Sequence, residues 1–398
     1  MSSGILYVSY SGMLEPLGQS QVFAYQEQVA RTRVVHLVSF ERERDWRDRA
    51  RRDVVARRMR EAGIRWHPLR YHKRPAVAAT AWDVARGVAL CCWLARRHAL
   101  GIVHARSYVP GLIALASKRL TGARFVFDMR GFWVDERVDG GLWNRDGRLY
   151  AIGKRLERRL LLGADHVVTL TRAAVTEMRG WPDLATALPP ISVVPTCTDL
   201  DRFRPQPRLR DEGFVLGYAG SAGTWYLFDH VLRSFSLLLE LRSDARLLVL
   251  NRGEHEFILA RAAIAGIPRP SLELHDVQHD AVADQMARMH AAVFFIRPAY
   301  SKIASAPTRL GELLGCGIPC LSNHGVGDMT EVLERDRVGV ALRDFGDEAI
   351  RDALSRLLAL AEEPGITERC ADSAQRHFSL DDGVRSYQSI YERLDAGS

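Results

Sequence analysis

The sequence lacks a long uninterrupted apolar run. Its longest candidate, Gly87–Ala95, spans nine residues and is flanked by arginines, whereas a membrane-spanning helix needs about 20 apolar residues. The first residues lead directly into a strand-like pattern without a basic stretch, so no secretory signal peptide is expected. We therefore predict a cytoplasmic protein with no spanning segment.

Metal-binding patterns are also missing. The six cysteines are scattered without the paired spacing of zinc sites, and no His-Glu-x-x-His occurs. Scattered cysteines in a chain of 398 residues indicate a reducing compartment. His36, His104 and His166 lie in or beside apolar segments, which is typical of buried histidines that serve packing. No bound metal and no separate cofactor are predicted.

Charge is unevenly distributed. Residues 1–205 contain 34 Lys and Arg against 20 Asp and Glu, whereas residues 206–398 contain 21 against 28. A basic half favours an anionic partner such as a membrane surface or a lipid-linked phosphate. The alternative is a set of arginine-solvated helices, because much of the surplus lies in one helical run, residues 41–60. No basic stripe interleaved with aromatics accompanies the charge, so nucleic acid is not expected.

Short apolar runs alternate with helical periods along the whole chain, which indicates parallel sheets covered by helices. The pattern restarts at Phe214, after a polar stretch with two prolines. We predict an α/β protein of two doubly wound Rossmann-like domains facing a cleft. The predicted bounds are 1–205 for the first domain, 206–378 for the second, and 379–398 for a C-terminal helix that packs back on the first.

Two stretches of the second half could bind an anion. Gly217, Gly220 and Gly223 follow a predicted strand, where glycines let backbone N–H groups approach a phosphate; such turns are also glycine-rich for steric reasons alone. In "SAPTRLGELLGCGIPCLSN", Ser305 and Thr308 are expected to cap a short helix begun by Pro307.

Within that helix, Arg309, Glu312 and Cys316 fall on one face, opposite a row of leucines. A carboxylate one turn beyond a phosphate site is well placed to accept hydrogen bonds from the two hydroxyls of a ribose. The alternative is an ordinary surface ion pair between Arg309 and Glu312. The short, glycine-stopped helix between buried strands favours the binding role.

The segment "GELLGCGIP" resembles the donor-site segment of glycosyltransferase family 4, whose members have the GT-B fold. Further similar blocks are "EPLGQSQV", "HARSYVPGLIAL", "FDMRGFWVDERVDGGLW", "VVPTCTDLDRF" and "GVGDMTEVL". The family usually has two glutamates eight positions apart, and Ala304 stands in place of the first. The sequence instead resembles a subset with S-x-P-(T/N)-(K/R)-x-x-E. No Asp-x-Asp stands where a metal-dependent glycosyltransferase of the other major fold would need it.

The resemblance implies a set of site residues. The implied catalytic residues are Asp128, Arg130 and Arg309. The implied donor-binding residues are Gly220, Ser221, Gly223, Thr224, Arg252, Lys302, Ser305, Thr308, Arg309 and Glu312, with Lys302, Arg309 or Arg252 supplying the positive charge that the glycine loop lacks. The implied acceptor-binding residues are Gly18, Gln19, Arg106, Asp135, Glu136 and Arg137, the last three in a glycine-rich loop. A strand-end cap for Asp128 and a solvated surface loop for Trp133–Trp143 are the structural alternatives.

The implied activity is transfer of a hexose from a UDP-, GDP- or dTDP-sugar to a hydroxyl, with retention of configuration. The acceptor would be a small molecule, a glycan or a lipid-linked glycan, and peripheral contact with the inner face of an anionic membrane is an associated expectation. Two alternatives stay open: a nucleotide-sugar epimerase of the same fold, which needs no acceptor, and a homologue that binds nucleotide-sugars without turnover.

Overall fold

The computed structural model describes residues 3–182, 184, 186–207, 213–277 and 281–397. These residues form two compact units. The first unit runs to Pro195 and adds two later pieces, Tyr300–Ser305 and the chain from Leu380 onward. The second unit consists of Thr196–Ala299 and Ala306–Ser379, apart from the residues outside the described ranges.

The first unit is built on a seven-stranded parallel sheet with the order β3-β2-β1-β4-β5-β6-β7. Buried apolar residues dominate the inner strands, as expected for a sheet covered on both faces. The strand order reverses between β1 and β4, which is where doubly wound sheets bind ligands. The strands are β1 (Gly4–Ser9), β2 (Val35–Glu41), β3 (Ile64–Arg70), β4 (Leu100–Arg106), β5 (Arg124–Asp128), β6 (His166–Thr169) and β7 (Ile191–Val193).

Helices connect these strands, and a π-helical turn at Gln19–Phe23 links the first two helices. They are α1 (Pro16–Gly18), α2 (Ala24–Val29), α3 (Glu43–Trp46), α4 (Arg49–Glu61), α5 (Ala76–His98), α6 (Tyr108–Thr121), α7 (Trp133–Asp139), α8 (Arg148–Gly163) and α9 (Arg172–Arg179). Helix α7 lies where the sequence suggested a loop. It forms because Val134 and Asp135 are both buried against the unit and anchor its first turn.

The second unit has a six-stranded parallel sheet with the order β10-β9-β8-β11-β12-β13. Its strands are β8 (Val215–Ala219), β9 (Arg246–Leu250), β10 (Leu272–His275), β11 (Ala291–Val293), β12 (Cys320–Asn323) and β13 (Gly339–Leu342). Its helices are α10 (Phe228–Leu241), α11 (His255–Ile264), α12 (Val282–Met286), α13 (Thr308–Gly315), α14 (Met329–Arg335), α15 (Asp347–Glu362) and α16 (Ile366–Phe378). The prediction of two doubly wound α/β sheets is confirmed.

The last helix, α17 (Leu380–Ala396), packs on the first unit, as predicted. The Tyr391 hydroxyl lies 2.6 Å from Nδ1 of His104 in β4. One turn further along the helix, Asp395 forms an ion pair of 2.7 Å with Arg33.

The unit boundaries differ from the predicted division at 205/206. Residues 196–203 belong to the second unit because they pack there: the Thr198 N–H donates to the Phe378 carbonyl at 2.7 Å, and Phe203 is buried in that core. Tyr300–Ser305 belongs to the first unit, where Ala304 is fully buried.

Helix α5 changes one expectation from the sequence. Among the described helices it is the one long and apolar enough to cross a membrane, judged by its 23 residues and composition only. The helix extends beyond the apolar run Gly87–Ala95 because its first turns are rich in alanine. Gly87, Cys91 and Leu94 of this helix are buried, whereas Trp82 and Trp93 are exposed, and 33% of its most apolar window is buried.

Candidate functional site

Helix α13 of the second unit carries the stretch singled out in the sequence. It begins at Thr308, directly after Pro307, whose extended backbone occupies the N-cap position without a side-chain cap. Pro307 therefore precedes the helix instead of starting it, and neither Ser305 nor Thr308 acts as a cap. Gly317, at a φ of 78°, provides the left-handed stop after the last turn. Leu310, Leu313 and Leu314 are buried in the core, so the opposite face presents Arg309 and Glu312.

Arg309 is buried and forms no ion pair with a carboxylate of the residues that the structure describes. Its guanidinium lies 3.9 Å from the ring centre of Tyr226, 5.2 Å from that of Tyr218 and 5.5 Å from that of Phe294. Atom Nη1 has no hydrogen-bond partner in the described part of the chain. Aromatic faces thus position the cation by cation–π contact and leave its charge available.

Glu312 is half-buried. Burial raises the pKa of its carboxyl to about 7, against the opposing effect of Arg309 and Arg202. The described residues offer it no hydrogen-bond donor, and Nη2 of Arg202 is likewise buried without an acceptor there. A carboxylate that faces two cations with its lone pairs free is suited to accept hydroxyl groups of a ligand.

The carboxylate of Glu254 binds to the glycine loop after β8. The Ala222 N–H donates to Oε2 of Glu254 at 2.9 Å, and Asn251 Nδ2 donates to the same oxygen at 2.8 Å. The helix that follows the loop, α10, begins at Phe228. Ser221 and Thr224 are exposed and precede this helix by several residues. Part of the anion site predicted at Gly220–Thr224 is therefore filled by Glu254.

Gly220 itself lies against Arg309. Its φ is 108°, and a β-carbon there would overlap the guanidinium. Gly223 is next to the Glu254 carboxylate. Arg252 is exposed and forms no ion pair with any described residue. Sequence reasoning missed Asn251, Glu254 and Arg202; the segment "LNRGE" was noted only for Arg252, although β9 is the direct neighbour of β8.

Lys302 and Ser305 were predicted to bind the donor, but they lie in the first unit. Lys302 Nζ forms an ion pair of 2.8 Å with Glu136, a residue predicted to contact the acceptor. The same segment is held by Asp139, which accepts the Ser301 N–H at 2.8 Å, and by Thr171, which donates to the Ile303 carbonyl at 2.8 Å. Thr308, which was also predicted to bind the donor, lies in the second unit at the start of α13.

A second group of polar residues lies at the carboxyl ends of β4 and β5 in the first unit. Asp128 is buried and accepts a hydrogen bond of 3.0 Å from the Tyr387 hydroxyl of α17. His104 Nε2 and Arg130 Nη1 lie 3.7 and 3.9 Å from the same oxygen. Burial would raise the pKa of Asp128, but Arg130, His104 and Arg106 hold it below its usual value. Asp128 is therefore ionised at neutral pH.

Arg106 is in register with Asp128 on the adjacent strand. Arg130 follows two residues after Asp128 in left-handed backbone, with a φ of 60°. Burial lowers the pKa of Arg106, and the Arg130 cation lowers it further. Burial lowers the pKa of Arg130, whereas the Asp128 carboxylate raises it, and the pKa is raised overall. The structure thus brings together three of the predicted residues, Asp128, Arg130 and Arg106.

The remaining predicted acceptor residues have internal partners. Gly18 lies so close to the Gly12 carbonyl that a side chain would not fit. Gln19 donates to the Met13 carbonyl at 2.5 Å and accepts from Arg58 at 2.8 Å. Asp135 is buried between Tyr150 and Lys154, at 2.9 and 3.0 Å. Arg137 stacks on Trp133 with 4.8 Å to the ring centre. Within the described ranges, no group of three or more His, Cys, Asp or Glu could hold a metal ion.

Comparisons with known proteins bear on the family and the fold. A family model described as "Glycosyl transferase 4-like domain" matches residues 24–197. No curated protein matches the sequence significantly. Among solved structures, a sucrose-phosphate synthase from Thermosynechococcus elongatus has a TM-score of 0.73 at 13% identity, with 100% of both chains covered. A glycosyltransferase from Rickettsia africae has a TM-score of 0.72 at 13% identity, again over 100% of both chains.

A third similar structure is Anabaena HepE in complex with UDP and glucose, with a TM-score of 0.70 at 13% identity over 99% of both chains. At this level of identity, likeness to solved structures establishes the fold. Residues 24–197 thus match the glycosyl transferase 4-like family, and the chain has the two-sheet GT-B fold of these glycosyltransferases.

Proposed function

We propose that this protein is a retaining glycosyltransferase that transfers a hexose from a nucleoside diphosphate sugar to a hydroxyl of an acceptor. The observation that carries the proposal is the polar face of α13. There the half-buried carboxyl group of Glu312, which has no hydrogen-bond donor among the described residues, stands near the buried Arg309, whose Nη1 has no acceptor among them. The family match over residues 24–197 and the UDP-bound structural neighbour support it.

In this proposal the second unit holds the donor. Glu312 accepts hydrogen bonds from the two ribose hydroxyls, and Arg309 neutralises the diphosphate as it departs. Positive charge grows on the anomeric carbon while negative charge grows on the leaving oxygen, so a prepositioned cation stabilises the transition state more than the ground state. Arg309 thereby takes the role that a divalent cation has in other transferases, and no cofactor beyond the donor is required.

The glycine loop has a smaller part than the sequence suggested. Because Glu254 already accepts the Ala222 N–H, the diphosphate depends on side-chain cations more than on backbone donors. Gly220 contributes by leaving room for Arg309. Arg252, exposed at the end of β9, is a further candidate for the phosphates or the base.

The first unit holds the acceptor, at the carboxyl ends of β1, β4 and β5. Asp128 and Arg130 are the proposed catalytic residues there: the carboxylate orients the attacking hydroxyl, and the guanidinium fixes the carboxylate. Tyr387 is a positioning residue that acts through Asp128.

The donor assignment can be tested by calorimetric titration with UDP, GDP and dTDP. Glu312→Ala should weaken binding of the preferred nucleotide by about tenfold to a hundredfold, because hydrogen bonds to a charged group contribute about 1.5–3 kcal/mol. Glu368→Ala, in the exposed first turn of α16, is the control and should bind as the wild type does. Unchanged affinity in Glu312→Ala would contradict the assignment.

Turnover distinguishes the remaining functions. A glycosyltransferase releases the nucleoside diphosphate faster when a suitable acceptor is present. An epimerase would convert the nucleotide-sugar without an acceptor, and a binding homologue would bind the nucleotide tightly without product. Chromatography of nucleotide-sugars incubated with and without acceptor panels separates the three.

We also propose that the protein works in the cytoplasm and touches anionic membranes through the basic first half. The surplus of Lys and Arg in residues 1–205 supports this, as do the exposed Trp82 and Trp93 of α5. Co-sedimentation with phosphatidylglycerol vesicles, but not with phosphatidylcholine vesicles, would be expected at low salt.

A further inference from the structure

The group at the ends of β4 and β5 has more positive than negative charge. Arg106 and Arg130 contribute two guanidinium groups, and Asp128 contributes one carboxylate. His104 adds none at neutral pH, because burial lowers the pKa of its imidazole. The only ion pair that either guanidinium forms within the described ranges is the 3.9 Å contact between Arg130 and Asp128.

Both arginines also retain unused hydrogen-bond donors. Nε of Arg106 and Nε of Arg130 are buried and have no acceptor among the residues that the structure describes. Arg106 is 9% exposed, and the side chain of Arg130 is also 9% exposed. Buried donors of this kind almost always have a partner in a folded protein, since leaving them unpaired is costly.

The other groups around the pair are neutral. Tyr7, Tyr25 and Tyr387 face Arg130. Burial raises the pKa of Tyr7 and of Tyr387, so the hydroxyls of these two residues stay protonated. None of them can neutralise the second guanidinium.

We propose that Arg106 and Arg130 form a binding site for an oxyanion of the acceptor. The inference rests on the proposed function in treating the first unit as the acceptor unit, and it adds the chemical class of the acceptor: a sugar or headgroup that bears a phosphate or carboxylate. Guanidinium groups suit both, because their paired N–H donors match two oxygens of either group.

The position supports this role. β1 and β4 flank the point where the strand order reverses, and ligands of doubly wound sheets bind at the carboxyl ends of the strands there. Arg106 is the last residue of β4, and Asp128 is the last residue of β5. An acceptor whose oxyanion meets Arg106 and Arg130 would present a hydroxyl beside Asp128.

The test uses the full chain with UDP present at saturation, so that Arg309 is occupied and phosphate probes cannot bind there. Glucose 6-phosphate, glucuronate and glucose are compared by the shift of the thermal unfolding midpoint and by titration. The proposal expects a midpoint increase with one or both anions and none with glucose. The anion that gives the larger shift identifies the phosphate or the carboxylate class.

Substitutions then locate the effect. Arg106→Gln should weaken the anionic probe at least tenfold, Arg106→Lys should recover part of the affinity, and Arg57→Gln, at an exposed position of α4, should change it less than twofold. Equal shifts with glucose, or an anion response that survives Arg106→Gln, would overturn the proposal. If Arg106→Gln does not fold, the comparison of the three probes on the wild-type protein decides. A wild-type protein that responds to neither anion also overturns the proposal.

This outcome is separable from the proposed function. UDP binding is measured beforehand in the same samples and reports only the donor site. An anion response without UDP binding would support the oxyanion site and contradict the donor assignment. UDP binding without an anion response would support the donor assignment and contradict the oxyanion site.

Discussion

Replacing Gly220 with alanine should displace Arg309 and weaken donor binding. Gly220 has a φ of 108°, and a β-carbon there would overlap the guanidinium of Arg309. We expect the arginine to yield by moving away from the ring of Tyr226, whose centre is 3.9 Å from the guanidinium carbon. Loss of that contact costs about 0.5–2 kcal/mol, in addition to about 1–3 kcal/mol of backbone strain for a residue other than glycine.

The matched control is Gly266→Ala. Gly266 also has a positive φ, 69°, but a β-carbon there meets no atom within 4 Å. Both substitutions carry backbone strain, and only the first moves Arg309. Both variants should therefore lose stability in urea denaturation, with the larger loss in Gly220→Ala.

Nucleotide binding should separate the two variants. If Arg309 contributes a charge-assisted hydrogen bond of about 1.5–3 kcal/mol to the diphosphate, Gly220→Ala weakens UDP about tenfold to a hundredfold. Gly266→Ala should remain within about threefold of the wild type, since it touches neither Arg309 nor α13. If calorimetry finds that folded Gly220→Ala and folded Gly266→Ala bind UDP equally well, Arg309 does not bind the diphosphate and Gly220 does not make room for it.

Three further outcomes are expected. Burial raises the pKa of Glu312 from 4.5 to about 7, so between these pH values the native state keeps a proton that the unfolded chain has lost. The free energy of unfolding should therefore fall as pH rises from 5 to 8, and UDP-glucose affinity should rise over the same range. Glu312→Gln should flatten both pH profiles. Tyr387→Phe should destabilise the first unit by about 1.5–3 kcal/mol in urea denaturation, because Asp128 loses its nearest donor; a cost below about 0.5 kcal/mol would contradict that role. The six cysteines are free and buried, so none should react with a thiol reagent until denaturant is added, and rapid labelling of native protein would show that this packing is wrong.

Local patterns in the sequence predicted much of the architecture. Alternating buried strands and helices gave two parallel sheets, and the restart at Phe214 fell just before β8. The spacing of Arg309 and Glu312 was sufficient to place both on one face of α13, because helical periodicity is a local property.

Contacts between distant parts of the chain were beyond such reasoning. Asp128 and Tyr387 are 259 residues apart in sequence, and Glu254 reaches Ala222 from the next strand loop. Lys302 was predicted to bind the donor, but its ammonium group pairs with Glu136, which is 166 residues away in sequence. Helix α7 was missed because glycine and charge at Trp133–Trp143 suggested exposure, whereas Val134 and Asp135 are buried.

The interleaved course of the chain also limits how the protein can be divided. The chain passes between the units at 195/196, 299/300, 305/306 and 379/380. A fragment that ends at Pro195 would lack Tyr387 and Tyr391, which form hydrogen bonds with Asp128 and His104. It would also lack Ala304, which is buried in the core of the first unit. Neither half can therefore be produced as an intact folding unit by a single cut. Tools such as split reporters, domain exchange between relatives or limited proteolysis would have to respect all four passages.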